Sequence, residues 1–301
     1  MRGFRIFLLI LLVVAGAGGF YVYQTAHTLE VVQLSDDLYV IYGLGGNVGV
    51  LRTGKGSVVV DTMTLKSQGE VILAKARELT DEPIAMVINT HYHTDHTHGN
   101  PAIPRGTRII ATKRTLHHLE DFDAAYFADA PQTLPSETFD DRMQISIGDK
   151  NLTLLHPGRG HTDGDLVVLF EEEGVVHVGD LFFNGHYPNI DLEAGGTVQQ
   201  WPATIDRVFD ELHFDSVIPG HGPVTDPDGL RQFQRFLQQL ADIGRDAKAS
   251  GASLEETVSS DALTEDAGYE PIRMIVPIGL DRAFVLQRTW EETHGEFVLR
   301  E

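Results

Sequence analysis

His91-Tyr92-His93-Thr94-Asp95-His96 follows directly on the apolar run Ile84-Ala85-Met86-Val87-Ile88-Asn89. A strand that ends in a polar loop presents alternate side chains toward one mouth, where sites tend to form. In the pattern H-x-H-x-D-H, His91 and His93 can grip one cation while Asp95 and His96 reach a second. One loop could therefore serve two metals.

Working outward, metal-competent side chains recur just past short β-branched segments. Gly160-His161-Thr162 is one such place, Val178-Gly179-Asp180-Leu181 after Val175-Val176-His177 another, and Pro219-Gly220-His221-Gly222 after Ser216-Val217-Ile218 a third. Upstream, Ser57-Val58-Val59-Val60 ends in Asp61, placed either to orient a ligand or to close a strand-end turn. Five histidines and two aspartates make a borderline-soft set suited to two Zn2+ per chain, with Fe or Mn as alternatives. The chain has no cysteine, so a structural Cys-rich zinc module is excluded and a catalytic metal is favoured. Serine chemistry lacks its G-x-S-x-G elbow.

With these motifs in order over residues 31–225, the chain resembles the metallo-β-lactamase superfamily, most closely its glyoxalase II-like and general hydrolase branches. The resemblance implies His91, His93 and His161 on a first metal, Asp95, His96 and His221 on a second, Asp180 bridging both, and Asp61 behind a ligand. It implies a dinuclear zinc hydrolase in which a metal-bridging hydroxide attacks a small ester, thioester, lactone or amide, with Asp95 or Asp180 moving the proton. A β-lactamase is the alternative enzyme, though lactamase subclasses with a cysteine ligand are excluded. A non-catalytic metal-binding or assembly protein is the alternative from another class.

Short strands are expected at Leu38–Tyr42, Val48–Arg52, Ser57–Asp61 and before His91, then at Arg108–Ala111, Met143–Ile147, Asn151–Leu155, Leu166–Phe170, Val175–Gly179 and Ser216–Pro219. Helices are expected at Gln68–Leu79, Lys113–Glu120 and Val198–Phe209. Two strand groups with helices outside predict an α/β fold, a four-layer αββα sandwich, which the resemblance also implies. Residues 226–301 read as a helical C-terminal extension packed on the core. Asp226-Pro227 caps its first helix, whose Phe233, Phe236, Leu237 and Leu240 form one face, and a longer helix over Ile272–Glu292 carries an interruption at Pro277.

The stretch Leu181–Asn189 is expected to run along the pocket rim, with His186 and Tyr187 either as substrate or oxyanion contacts or as loop packing. It offers no arginine or lysine to hold the glutathione that the glyoxalase II resemblance would imply. Gly43-Leu44-Gly45-Gly46-Asn47 lacks nucleotide-loop spacing and reads as a flexible hairpin, and the resemblance implies a loop over the metals at about this place that could gate the substrate. His27, His98, His117, His118, His156, His177, His213 and His294 are expected to be ordinary surface or core groups.

Lysine and arginine total 23 against 44 acidic residues, a net charge of −21 that disfavours nucleic acid as a partner and leaves a small molecule as the expected substrate. Arg2 and Arg5 precede Ile6–Tyr23, an uncharged stretch whose length approaches the ~30 Å hydrocarbon core. Residues 1–24 are therefore expected to be a cleaved signal peptide, with Ala15-Gly16-Ala17 as cleavage candidate, or a membrane anchor. Either would export the catalytic part to the periplasm or hold it at the inner membrane, touching the membrane through that segment only.

Overall fold

Two β-sheets face each other across an apolar core in the computed structural model, which describes residues 28–272 and 279–297. The hydrophobic N-terminal stretch, His27 and Pro277 lie outside those residues, and no helix among the described ones is long and apolar enough to cross a membrane. The first sheet holds seven strands in chain order: β1 (Glu30–Gln33), β2 (Leu38–Tyr42), β3 (Val48–Leu51), β4 (Ser57–Val60), β5 (Ile84–Ile88), β6 (Arg108–Thr112) and β7 (Glu137–Phe139). Antiparallel pairing from β1 to β4 gives way to parallel pairing from β4 to β7. The second sheet holds β8 (Arg142–Ile147), β9 (Lys150–Leu155), β10 (Val167–Phe170), β11 (Val175–His177) and β12 (Ser216–Ile218), antiparallel except for the parallel pair β11 and β12.

Strand periodicity explains the layering. Val58 and Val60 of β4 and Met86 and Ile88 of β5 point between the sheets, where they meet Leu152, Leu154, Val168 and Phe170 of β9 and β10. The intervening Val59 and Val87 point outward onto Ile72, Leu73 and Ala76 of the helix Lys66–Thr80. On the far side, Val167 and Leu169 turn outward onto Trp201 and Ile205 of the helix Trp201–Glu211 and Phe233 and Phe236 of the helix Pro227–Ser250. The result is the α/β four-layer sandwich expected from the sequence, with a helical C-terminal region on the second sheet.

The expected strands are present, with ends shifted by a residue or two. Two were not foreseen: β1, a half-exposed edge strand, and β7, whose three residues are too few to show a period. Thr94–Thr97, expected as loop, forms one helical turn. The expected helix over Ile272–Glu292 instead starts at Arg282, where Asp281 caps it by accepting from the Phe284 amide at 2.9 Å. Gly279 just before it has φ 73°, outside helical space, so a continuous helix is barred there.

Candidate metal centre

β4, β5, β9, β11 and β12 all deliver their carboxyl ends to one edge of the sandwich, and the loops leaving them carry the metal-competent residues. Ligand atoms of His91, His93, His161 and Asp180 lie within 4.8 Å of one another, as do those of Asp95, His96 and His221. All seven sequence-derived positions thus converge. The helical turn at Thr94–Thr97 swings Asp95 and His96 away from His91 and His93, which divides the motif between the two groups. Among the described residues, no other histidine joins either group.

Asp180 sits between them. Its Oδ1 is 3.1 Å from His96 Nε2, while its Oδ2 is 3.5 Å from His221 Nε2, 3.6 Å from His161 Nε2 and 3.8 Å from His91 Nε2. Asp95 Oδ2 lies 3.2 Å from His221 Nε2.

Four of the five imidazoles are aimed by a contact on the other nitrogen. Asp61 Oδ2 accepts from His96 Nδ1 at 2.7 Å, Asn189 O holds His161 Nδ1 at 2.9 Å, and Thr90 Oγ1 meets His91 Nδ1 at 3.1 Å. His93 is reversed: Asp191 Oδ2 holds its Nε2 at 2.9 Å, leaving Nδ1 to face His161 Nε2 at 2.8 Å. Such contacts behind a ligand fix its tautomer and direction. Asp191, which also accepts from the Tyr92 hydroxyl, escaped the sequence reading. It belongs to no motif and lies two residues beyond the rim segment singled out.

Do these residues fit a metal? His91 Nε2, His96 Nε2 and Asp180 Oδ1 are buried and make no hydrogen bond, a costly condition that a cation relieves. Burial pushes the His91 imidazole well below its usual range and, with His93 alongside, brings His161 down to about 4, so both present neutral lone pairs. Burial opposes charge at His221 too, yet Asp180 and Asp95 outweigh it and raise this imidazole to about 9. Carboxylates that draw positive charge onto neighbouring histidines provide the electrostatics a divalent cation needs. Imidazole and carboxylate donors suit zinc, iron or manganese.

Glycines let the backbone close in. A Cβ on Gly220 would stand 2.0 Å from Asp180 Oδ1, and one on Gly46 would stand 2.1 Å from His96 Cε1. The Gly43–Asn47 segment joins β2 to β3 as a hairpin, but it is fastened rather than flexible. Asn47 donates to Pro219 O and Gly222 O at 2.8 Å each, Gln68 donates to Leu44 O at 2.9 Å, and Gly46 N donates to Asp95 O at 3.0 Å. A gate built from it would have to break all four.

A cleft of about 640 Å³ opens over Asp95, Asp180 and His221. Phe183, fully buried, stacks on the His221 ring at 5.2 Å. The two rim residues separate. His186 borders a smaller pocket of about 300 Å³ on the other side of His221, whereas Tyr187 is buried against Phe236 and Tyr269 with its hydroxyl donated to Asp266 at 2.8 Å. Tyr187 is thus a packing residue in this fold, because its polar end is already satisfied away from the cleft.

The family model of the metallo-β-lactamase superfamily matches residues 41–241. Similar proteins include the type 2 metallo-β-lactamase of Bacillus sp. (strain 170), 24% identical over 209 residues covering 66% of this chain and 78% of that protein. The lactamase-like protein aptB of Emericella nidulans is 27% identical over 228 residues, 70% of this chain and 67% of its own length. Among solved structures, the metallo-β-lactamase from Pontibacter korlensis shares the fold with a TM-score of 0.60 at 23% identity, over 70% of this chain and 99% of that one. The metallo-β-lactamase from Hirschia baltica gives 0.59 at 21% identity, over 69% and 97%. The converging histidines and aspartates and the match over two thirds of the sequence agree: this chain belongs to the metallo-β-lactamase superfamily and is a metal-dependent hydrolase.

Proposed function

We propose that the chain is a dinuclear zinc hydrolase acting on a small ester, thioester, lactone or amide. The observation that carries this reading is Asp180, whose carboxylate stands between the groups, with Oδ1 near His96 of one and Oδ2 near His91 and His161 of the other as well as His221. His91, His93 and His161 would hold one ion, Asp95, His96 and His221 the other, and Asp180 both. Such ions, when bound, supply Lewis acidity that polarises a carbonyl and acidifies water.

The chain's own residues supply the rest. Asp61, Asp191, Asn189 and Thr90 keep four of the five imidazoles aimed, so little reorganisation of these accompanies reaction. Asp95, at the cleft floor and held ionised despite burial by His96 and His221, is placed to take a proton from the attacking water and deliver it to the leaving group. Phe183 shields His221 from solvent. The cleft volume is in the range of small-molecule sites.

A β-lactamase is the second reading, favoured by the names of the type 2 relatives. The full chain loaded with zinc, assayed on acyl thioesters, esters, lactones, lactoylglutathione and nitrocefin, separates the two. Turnover of nitrocefin above all others would replace the first reading with the second. Metal analysis of the same preparation is expected to give two equivalents, and one equivalent with full activity would remove the dinuclear assignment.

A further inference from the structure

One wall of the cleft comes from chain beyond the family match. Ile272, Leu280 and Phe284 line it, in the same cleft as Phe122, Asp95, Asp180 and His221. All four side chains are half-buried, as residues lining an open cleft are. The wall is anchored from behind. Val285 and Leu286 are buried in the core under the second sheet, and Glu292 accepts from the Thr197 hydroxyl and from Val198 N at 2.8 Å. These contacts fix the helix Arg282–His294 relative to the metal ligands.

The charge around the wall is as informative as its shape. Arg288 is the one lysine or arginine among the described residues that line the cleft. Its guanidinium donates to Ile190 O at 3.0 Å, to Glu291 at 2.8 Å and to Glu193, so it is spent on the fold. Asp123, Asp191 and Glu193 also border the opening. Among the described residues, a negatively charged arm would meet carboxylates there and no free cation, whereas a hydrocarbon arm would lose water against three aliphatic or aromatic side chains.

We propose that the C-terminal wall selects substrates whose acyl arm is apolar and uncharged, with Phe284 as a specificity-determining residue. The inference rests on the ester-hydrolase reading above for its substrates but concerns only the binding of the arm.

The test uses the full zinc-loaded chain and p-nitrophenyl esters from acetate to octanoate, beside the suberate monoester, which matches octanoate in length and ends in a carboxylate. The expected result is a kcat/KM that climbs about two- to four-fold per added methylene, with the suberate ester at least about ten-fold poorer than the octanoate. Phe284→Ala is expected to flatten the climb at unchanged metal content, and Phe284→Leu to retain most of it. Calorimetric binding of n-alkyl hydroxamates of increasing length reads the wall without turnover. Esters hydrolysed with no dependence on length, or suberate accepted as well as octanoate, would overturn the inference and leave the hydrolase reading intact. Hydroxamate affinity that climbs with length and falls in Phe284→Ala, with no ester turned over, would uphold the wall and overturn the ester reading.

Discussion

Asp61 Oδ2 lies 2.7 Å from His96 Nδ1, and neither side chain has any contact with solvent. The same carboxylate accepts from Thr90 N at 2.8 Å and Thr90 Oγ1 at 2.7 Å, and these bonds hold Asp61 in the left-handed region at φ 65°. A residue other than glycine keeps such a backbone only where its surroundings over-determine it. Asp61 thus couples the end of β4 to a ligand on the turn after β5.

Replacing that carboxylate should be felt at the metal. Asp61→Asn, with one oxygen fewer to accept from His96, is expected to weaken zinc binding roughly 10- to 100-fold. Competition with a chromophoric chelator measures it directly, and an unchanged affinity would show that His96 needs no such support.

Gly220 lies against Asp180 so closely that no side chain fits. Gly220→Ala would drive a methyl group into Asp180 Oδ1 and the Gly179 backbone, 2.6 Å away. The expected outcome is a loss of roughly 1–3 kcal/mol in stability together with loss of metal. Thermal unfolding and metal analysis check it, and a stable, fully loaded variant would mean the edge of the site is softer than its geometry indicates.

Two histidines give the metal-free protein opposite pH limbs. Burial and His93 keep His161 down near 4, so the unfolded chain takes up a proton there near pH 6.5 that the folded chain refuses, and stability falls as pH drops from about 6.5 toward 4. His221 runs the other way: raised to about 9 by Asp180 and Asp95 against the pull of burial, it contributes stability that is complete below about 6.5 and disappears as pH rises through 9. Urea unfolding of chelated protein should show the alkaline loss, on the order of 1–3 kcal/mol. His221→Asn should abolish that limb, and an unaltered limb would assign it elsewhere.

Glu292 ties the last described helix to the segment before Trp201, accepting from Thr197, Val198 and Gln199. Truncating it leaves buried donors unmet, so Glu292→Ala is expected to cost about 1–3 kcal/mol. Hydrogen exchange should quicken in Arg282–His294 before it does in β5 or β11; exchange that quickened uniformly would count against a local clamp.

Much of this was legible because strand ends and motif spacing are local properties. Val59 and Val87 alternate with inward neighbours over a few residues, and the candidate ligands follow three to eight residues after the ends of such strands. Asp191 was illegible since its partner His93 lies 98 positions away and nothing near it repeats. The hairpin at Gly43–Asn47 was misjudged for the opposite reason: its glycines advertised freedom, while the ties that remove it come from Gln68, Pro219 and Gly222. Tyr187 looked available in sequence until Asp266 claimed its hydroxyl.

The reactive floor of the cleft is assembled from strand ends in the first 221 residues, while the flank with Leu280 and Phe284 is donated by the tail. Selection could therefore redraft what the protein accepts by editing a late stretch of gene, leaving the bond-breaking apparatus untouched. A laboratory wishing to retarget it should randomise that flank first.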